Sequence, residues 1–157
     1  MSTVIDYKNR TVDVAAFKNW KLGAQVKVTQ ELASPGKGGE FIAGIEKLIQ
    51  RYTIELFTEL GSLTYLPARG CSFMIDARAG FWRTSGDVQE SFSRASLDVA
   101  DNLSGEESTT DPDDERFLSA ELLAVSLLGD SVSLTVRITS RAGTSYEALL
   151  PLSVAPY

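Results

Sequence analysis

The chain contains no histidine. That removes the commonest general base, the commonest zinc ligand and every Ser-His or Cys-His nucleophile arrangement, leaving any catalysis to carboxylates, lysine or tyrosine. Cysteine is nearly missing too: Cys71 stands alone, which excludes an internal disulfide and a cysteine-based zinc cage and points to the cytoplasm. No apolar run approaches the roughly 20 residues of a membrane helix. Residues 1–10 lack the charged-then-apolar order of a signal peptide, so a soluble chain not exported by the general secretory route is expected. Positive charge is scarce as well: 15 Lys and Arg against 21 Asp and Glu leave a net charge of −6. With the basic residues scattered, a phosphate backbone would be repelled, and nucleic-acid binding is not expected.

What is present is ordinary globular material. The 157 residues, 43% hydrophobic and 23% charged, suit one domain that buries roughly 70% of its unfolded surface. Residues 1–33 carry short alternating pieces in which Val12 and Val14, then Val26 and Val28, share a side, and they are read as weak strands of an N-terminal arm. SPGKGG at 34–39 is a flexible break; its PGKGG misses the phosphate-loop pattern GxxxxGK[ST] and reads as a hinge. From Glu40 the spacing turns helical: Phe41, Ile45, Leu48, Tyr52 and Leu56 form a stripe widened by Ile42, Ile49 and Phe57, with Arg51, Glu55 and Glu59 placed off it and Gly61 as the terminating left-handed residue. Residues 71–82 suggest packing without a period. Asp87, with Glu90 three residues on, reads as the cap of a second helix whose stripe is Val88, Phe92, Ala95, Val99 and Leu103.

The last third switches to period two. Val132, Leu134, Val136 and Ile138 alternate with polar residues, flanked by strands at 118–128 and 144–154 across short turns. The expected fold class is α+β: two amphipathic helices packed on a C-terminal antiparallel β-meander, with an extended N-terminal arm (1–33) before a single domain (34–157).

Three chemistries can be weighed on residue types. DPDDER at 111–116 places Asp111, Asp113 and Glu115 at alternate calcium-loop positions, but the sixth position is Arg116 instead of glycine and the twelfth is Leu122 instead of a bidentate Glu, so no metal is expected. Glu55 and Glu59, one helical turn apart, meet the distance needed for glycoside hydrolysis, yet their place opposite the stripe suits a solvated pair. Trp20, Trp82 and Tyr65 suit interface anchoring, with burial as the default. Arg116, by contrast, sits where a loop enters the first strand of the meander. A planar fork of donors there suits docking to a carboxylate or to backbone carbonyls.

Taken in order, residues 48–73, the helix at 88–103, DERF at 114–117 and the closing meander resemble the small baseplate wedge protein of contractile-tailed bacteriophages. That family carries an old lysozyme-like label and includes a baseplate subunit of the type VI secretion system. The resemblance covers residues 40–154. It rests on Thr58, Gly61, Ser62, Pro67 and Gly70, and on a Glu-Pro-Arg triplet matched here by Asp114, Glu115 and Arg116, of which only the arginine is identical. It implies a structural protein of the virion tail, assembled in the host cytoplasm, with six copies per baseplate and neither enzymatic activity nor cofactor. The implied partners are other wedge proteins, engaged through Asp114, Glu115 and Arg116, tube-proximal baseplate proteins, and a sheath subunit attached by strand pairing; neither nucleic acid nor membrane is implied. The alternatives left open are a carboxylate-dependent cell-wall hydrolase and the secretion-system subunit.

Overall fold

The computed structural model describes residues 11–23, 25–32 and 40–153. The break at 34–39, the first ten residues and the Trp20 side chain lie outside them. The elements run β1 (Asp13–Val14), β2 (Phe17–Leu22), β3 (Gln25–Leu32), β4 (Phe41–Ile42), α1 (Ile45–Phe57), α2 (Phe73–Arg78), α3 (Ser85–Glu106), β5 (Phe117–Leu128), β6 (Ser131–Ser140) and β7 (Ser145–Ser153).

The expected α+β class is what forms. Strands β5, β6 and β7 make the antiparallel meander. The sheet then continues through the N-terminal strands, in the order β2-β3-β7-β6-β5, with β3 parallel to β7. Val26 and Val28 are buried, so β3 contributes to the core as well as to the ladder.

One side of the sheet carries the helices. Val132, Leu134, Val136 and Ile138 of β6 and Ala148, Leu150 and Leu152 of β7 point to it, and all are buried. They meet Leu48, Tyr52 and Leu56 of α1 and Val88, Phe92, Ala95, Val99 and Leu103 of α3 in one cluster. Each buried aliphatic or aromatic side chain contributes roughly 1.5–3 kcal/mol, enough to override weak local propensities. The opposite side is polar: Arg137 of β6 reaches Glu121 of β5 and Glu147 of β7, a cross-strand charge ladder that suits solvent. No helix among the described residues is long and apolar enough to cross a membrane.

Three boundaries depart from the periodicity. Phe41 and Ile42 fit the helical stripe, but they pair with Val14 and Asp13 as β4; α1 starts only after Gly44, whose φ of 63° breaks the run. Asp87 is not the N-cap of α3: Thr84 is, and Asp87 is the third helical residue of the capping box, its carboxylate accepting the Thr84 N–H while the Thr84 hydroxyl accepts the Asp87 N–H. Two backbone amides on one carboxylate hold Asp87 below the usual carboxylate range. Residues 73–78 form α2, a single short helix too brief to show a period.

Candidate functional site

The positions matching the triplet lie in a turn braced from several sides. Within it, the Glu115 N–H donates to the Pro112 carbonyl. The Arg141 N–H donates to the Arg116 carbonyl at 2.9 Å and the Ala142 N–H to the Asp113 carbonyl at 3.1 Å, tying the turn to the β6–β7 connection. From α1, Arg51 Nη1 donates to the Glu115 carbonyl. At the end of α3, the Glu107 carboxylate accepts the Phe117 N–H at 2.7 Å. The Phe117 ring then stacks on Tyr52 with centroids 5.9 Å apart.

The three side chains have different fates. Glu115 turns inward and is 2% exposed. Its carboxylate accepts the Gly44 N–H at 3.1 Å, the Thr11 hydroxyl, and Lys47 Nζ at 3.2 Å. Gly44 has no side chain with which to cap α1, so Glu115 supplies the negative charge at the positive end of that helix from 71 residues away. Asp114 is half-buried. Arg116 is partly exposed; Nη2 pairs with Asp113, while its Nε is enclosed without a hydrogen-bond partner. The acidic residues of the failed calcium pattern diverge, since Asp111 accepts the Ser108 N–H, Asp113 takes Arg116 and Glu115 faces the core.

Beside the turn, Thr11, Lys47, Arg51, Glu106, Asp111 and Glu115 line an open pocket of about 420 Å³. Its charges are mutually engaged. Arg51 reaches Glu106 and Glu107, and Glu106 also takes Arg69, which continues to Glu55.

That chain of ion pairs ends at a group misplaced by periodicity. Glu55 is buried, 2% exposed, not solvated. Its position explains why: Leu48, Tyr52 and Glu55 step by four and three, so Glu55 belongs to the edge of the apolar stripe. Its oxygens accept Arg69 Nε, Arg69 Nη2, Asn102 Nδ2 and the Gly70 N–H. Burial alone would lower the Arg69 guanidinium, but the hydrogen bonds it donates to Glu106 and Glu55 outweigh it and hold it above its ordinary range. Glu59, the other carboxylate of the hydrolase pair, is bound by Arg78.

The same carboxylate fixes the loop that carries the resemblance. The Cys71 N–H donates to the Thr58 carbonyl at 2.9 Å, which brings the two ends of the loop together. Gly70 has φ 87°, and a Cβ there would lie 2.4 Å from the Thr58 carbonyl oxygen, so both backbone hand and close approach require glycine. Beyond this clamp, Leu60, Leu63, Tyr65 and Leu66 stand exposed. Tyr65, 94% exposed, departs from the default burial of an aromatic, whereas Trp82 packs on Phe73 at 4.5 Å.

Arg51, Arg69, Asn102, Glu106 and Glu107 were not legible as a set, because their meeting depends on how α1 and α3 pack. The one available signal was the spacing of Glu55. Among the described residues no group of three or more potential metal ligands converges. No family model, curated protein or solved structure matches the chain.

Proposed function

We propose that the chain is a structural component of a contractile-tail baseplate, linking the wedge to tube-proximal proteins and attaching the sheath by strand pairing. The observation that carries the reading is the turn at 113–116: positions resembling the wedge triplet form one braced unit at the head of the edge strand β5. Asp113 and Arg116 are its outward members. Glu115 contributes by shaping the turn, in the place where the family has proline. The Arg116 guanidinium, partly exposed beside Asp113, has a fork of donors that suits a partner's carbonyl or carboxylate. The partners are neighbouring wedge proteins, tube-proximal proteins and a sheath subunit, in a particle with six copies.

Replacing Arg116 tests the reading. Arg116→Ala is expected to fold and to be depleted from assembled wedges; incorporation at the level of the unaltered chain counts against it. The secretion-system subunit is the same reading in another particle, and neighbouring genes distinguish the two. The rival hydrolase needs Glu55 or Glu59 available for chemistry. Their engagement by Arg69 and Arg78 favours the structural role, and peptidoglycan clearing abolished by Glu59→Gln would reverse that preference.

A further inference from the structure

We propose that residues 11–16 form a latch that opens and closes over α1 while the core stays folded, with Gln50 as its catch, and that Glu115 couples this latch to the 113–116 turn. The device goes beyond the baseplate reading, since it belongs to the free chain whatever docks on the turn. The catch is a polar side chain in the middle of a helix. Gln50 is 4% exposed, and its amide is turned to the strap. Its Nε2 donates to the Val14 carbonyl at 3.0 Å and to the Asp13 carboxylate at 3.2 Å, while its Oε1 accepts the Ala16 N–H at 2.8 Å. Between these contacts the Ala15 N–H donates to the Glu40 carbonyl at 2.8 Å, and Asp13 and Val14 pair with Ile42 and Phe41. At the far end the Thr11 hydroxyl donates to Glu115, and Lys47 Nζ donates to Thr11 Oγ1.

Little apolar surface adds to these contacts. Of residues 11–16, Ala15 alone is buried, and Val12 and Val14 are exposed. Neither Ala15 nor Ile42 of β4 belongs to the core cluster, whereas Phe17, the next residue along, packs against it. The strap is therefore hinged at Phe17, beyond which β2 and β3 stay in the sheet, and is held chiefly by polar groups. When it lifts, Gln50, Thr11 and the freed backbone groups meet water, which replaces protein hydrogen bonds at small net cost. A segment with few buried apolar contacts belongs to the low-stability end of a fold and opens before the rest.

Opening changes the site beside it. Lys47, Gln50 and Arg51 share one face of α1 by their spacing, and Thr11, Lys47 and Arg51 are walls of the pocket next to the turn. Closed, the strap supplies the Thr11 wall and engages Gln50; open, it bares a row of donors alongside the turn. Opening also takes Thr11 from the Glu115 carboxylate, which is left with Gly44 and Lys47. Coupling between two sites is reciprocal. The closed latch steadies Glu115 and with it the turn, and whatever fixes the turn favours the closed latch.

Hydrogen exchange on the full chain tests the device, with the Ala15 amide as reporter because its acceptor is the Glu40 carbonyl and neither substitution below touches that bond. In rising, sub-denaturing urea its exchange is expected to stay nearly constant and to run at least about 100-fold faster than that of the Leu134 and Val136 amides, which open with the core. Gln50→Ala and Thr11→Val should each keep the melting temperature, and should speed the Ala15 amide by about tenfold and about threefold respectively. Thr11→Val should also speed the amides of Gly44, Arg141 and Ala142, which bond to Glu115, Arg116 and Asp113 and not to Thr11. Ala15 exchange that rises with urea in step with β6, a lowered melting temperature in both variants, or indifference of Ala15 to both overturns the latch. Unmoved Gly44, Arg141 and Ala142 amides in Thr11→Val overturn its coupling to the turn. Wedge incorporation of Arg116→Ala tests the baseplate reading separately, so either can fail while the other stands.

Discussion

The Glu55 carboxylate lies 2.8 Å from the Gly70 amide, joining the last turn of α1 to the far end of a loop 15 residues later in the chain. With Arg69 and Asn102 on its remaining positions, this buried carboxylate holds the loop that displays Leu60, Leu63, Tyr65 and Leu66. Truncating it leaves the Gly70 N–H without its acceptor and strips the Arg69 guanidinium of its buried partner, with only the exposed Glu106 remaining. Glu55→Ala is expected to cost about 3–5 kcal/mol in denaturant unfolding, while Glu59→Ala, whose partner Arg78 is largely exposed, should cost about 1 kcal/mol or less. Equal, small losses at both positions would show that Glu55 is solvated after all.

Gly70 gives an independent check on the same clamp. Gly70→Ala adds a methyl group 2.4 Å from the Thr58 carbonyl oxygen at a left-handed position, so the backbone must shift. We expect a loss of about 2–4 kcal/mol. Gly61→Ala shares the positive φ but meets nothing within 4 Å and should cost only about 1–2 kcal/mol.

The contrast between these residues also shows what the sequence reveals and what it hides. The meander was legible because β6 alternates cleanly and buries one face. The stripe of α3 was legible because five apolar residues keep helical spacing over a long run. The start of α1 was not, since Phe41 and Ile42 satisfy both periods and only pairing with β1 decides between them. Glu55 was misplaced because a carboxylate at a stripe position is read as solvated unless its partners are known, and Arg69 and Asn102 come from two other segments. Arg116 could be singled out by its place at the head of a strand; the inward turn of Glu115 required the position of Gly44.

Glu115 has its own test. The family-like triplet has proline at this position, yet here the Glu115 N–H donates to Pro112 and the carboxylate holds Gly44 and Lys47. Glu115→Pro removes all of these contacts at once. A loss of about 3–5 kcal/mol is expected, with exchange of the first-turn amides of α1 accelerated most. Unchanged stability would mean that the rigid ring replaces the buried carboxylate fully.

Alkaline pH should reveal the burial of Cys71. Desolvation pushes its thiol from 9.0 up to about 11, and Tyr52 is raised in the same sense, by burial first and then by Cys71. In the window from 9.0 to about 11 the unfolded chain loses the thiol proton while the folded chain keeps it. The unfolded state is then the one favoured by rising pH. The stabilisation is complete below pH 9.0 and falls by on the order of 2 kcal/mol by about pH 11. Urea unfolding across that window checks this, and Cys71→Ala should lose the thiol's share of the slope.

Imaging the assembled tail addresses the structural role itself. In a map of the particle, six copies of this fold are expected in the baseplate, each with Arg116 against a carbonyl or carboxylate of a neighbour. Purified Arg116→Ala, stable to within about 1 kcal/mol, should be missing from that position. A particle that lacks the chain, or holds it with the 113–116 turn facing solvent, would contradict the account.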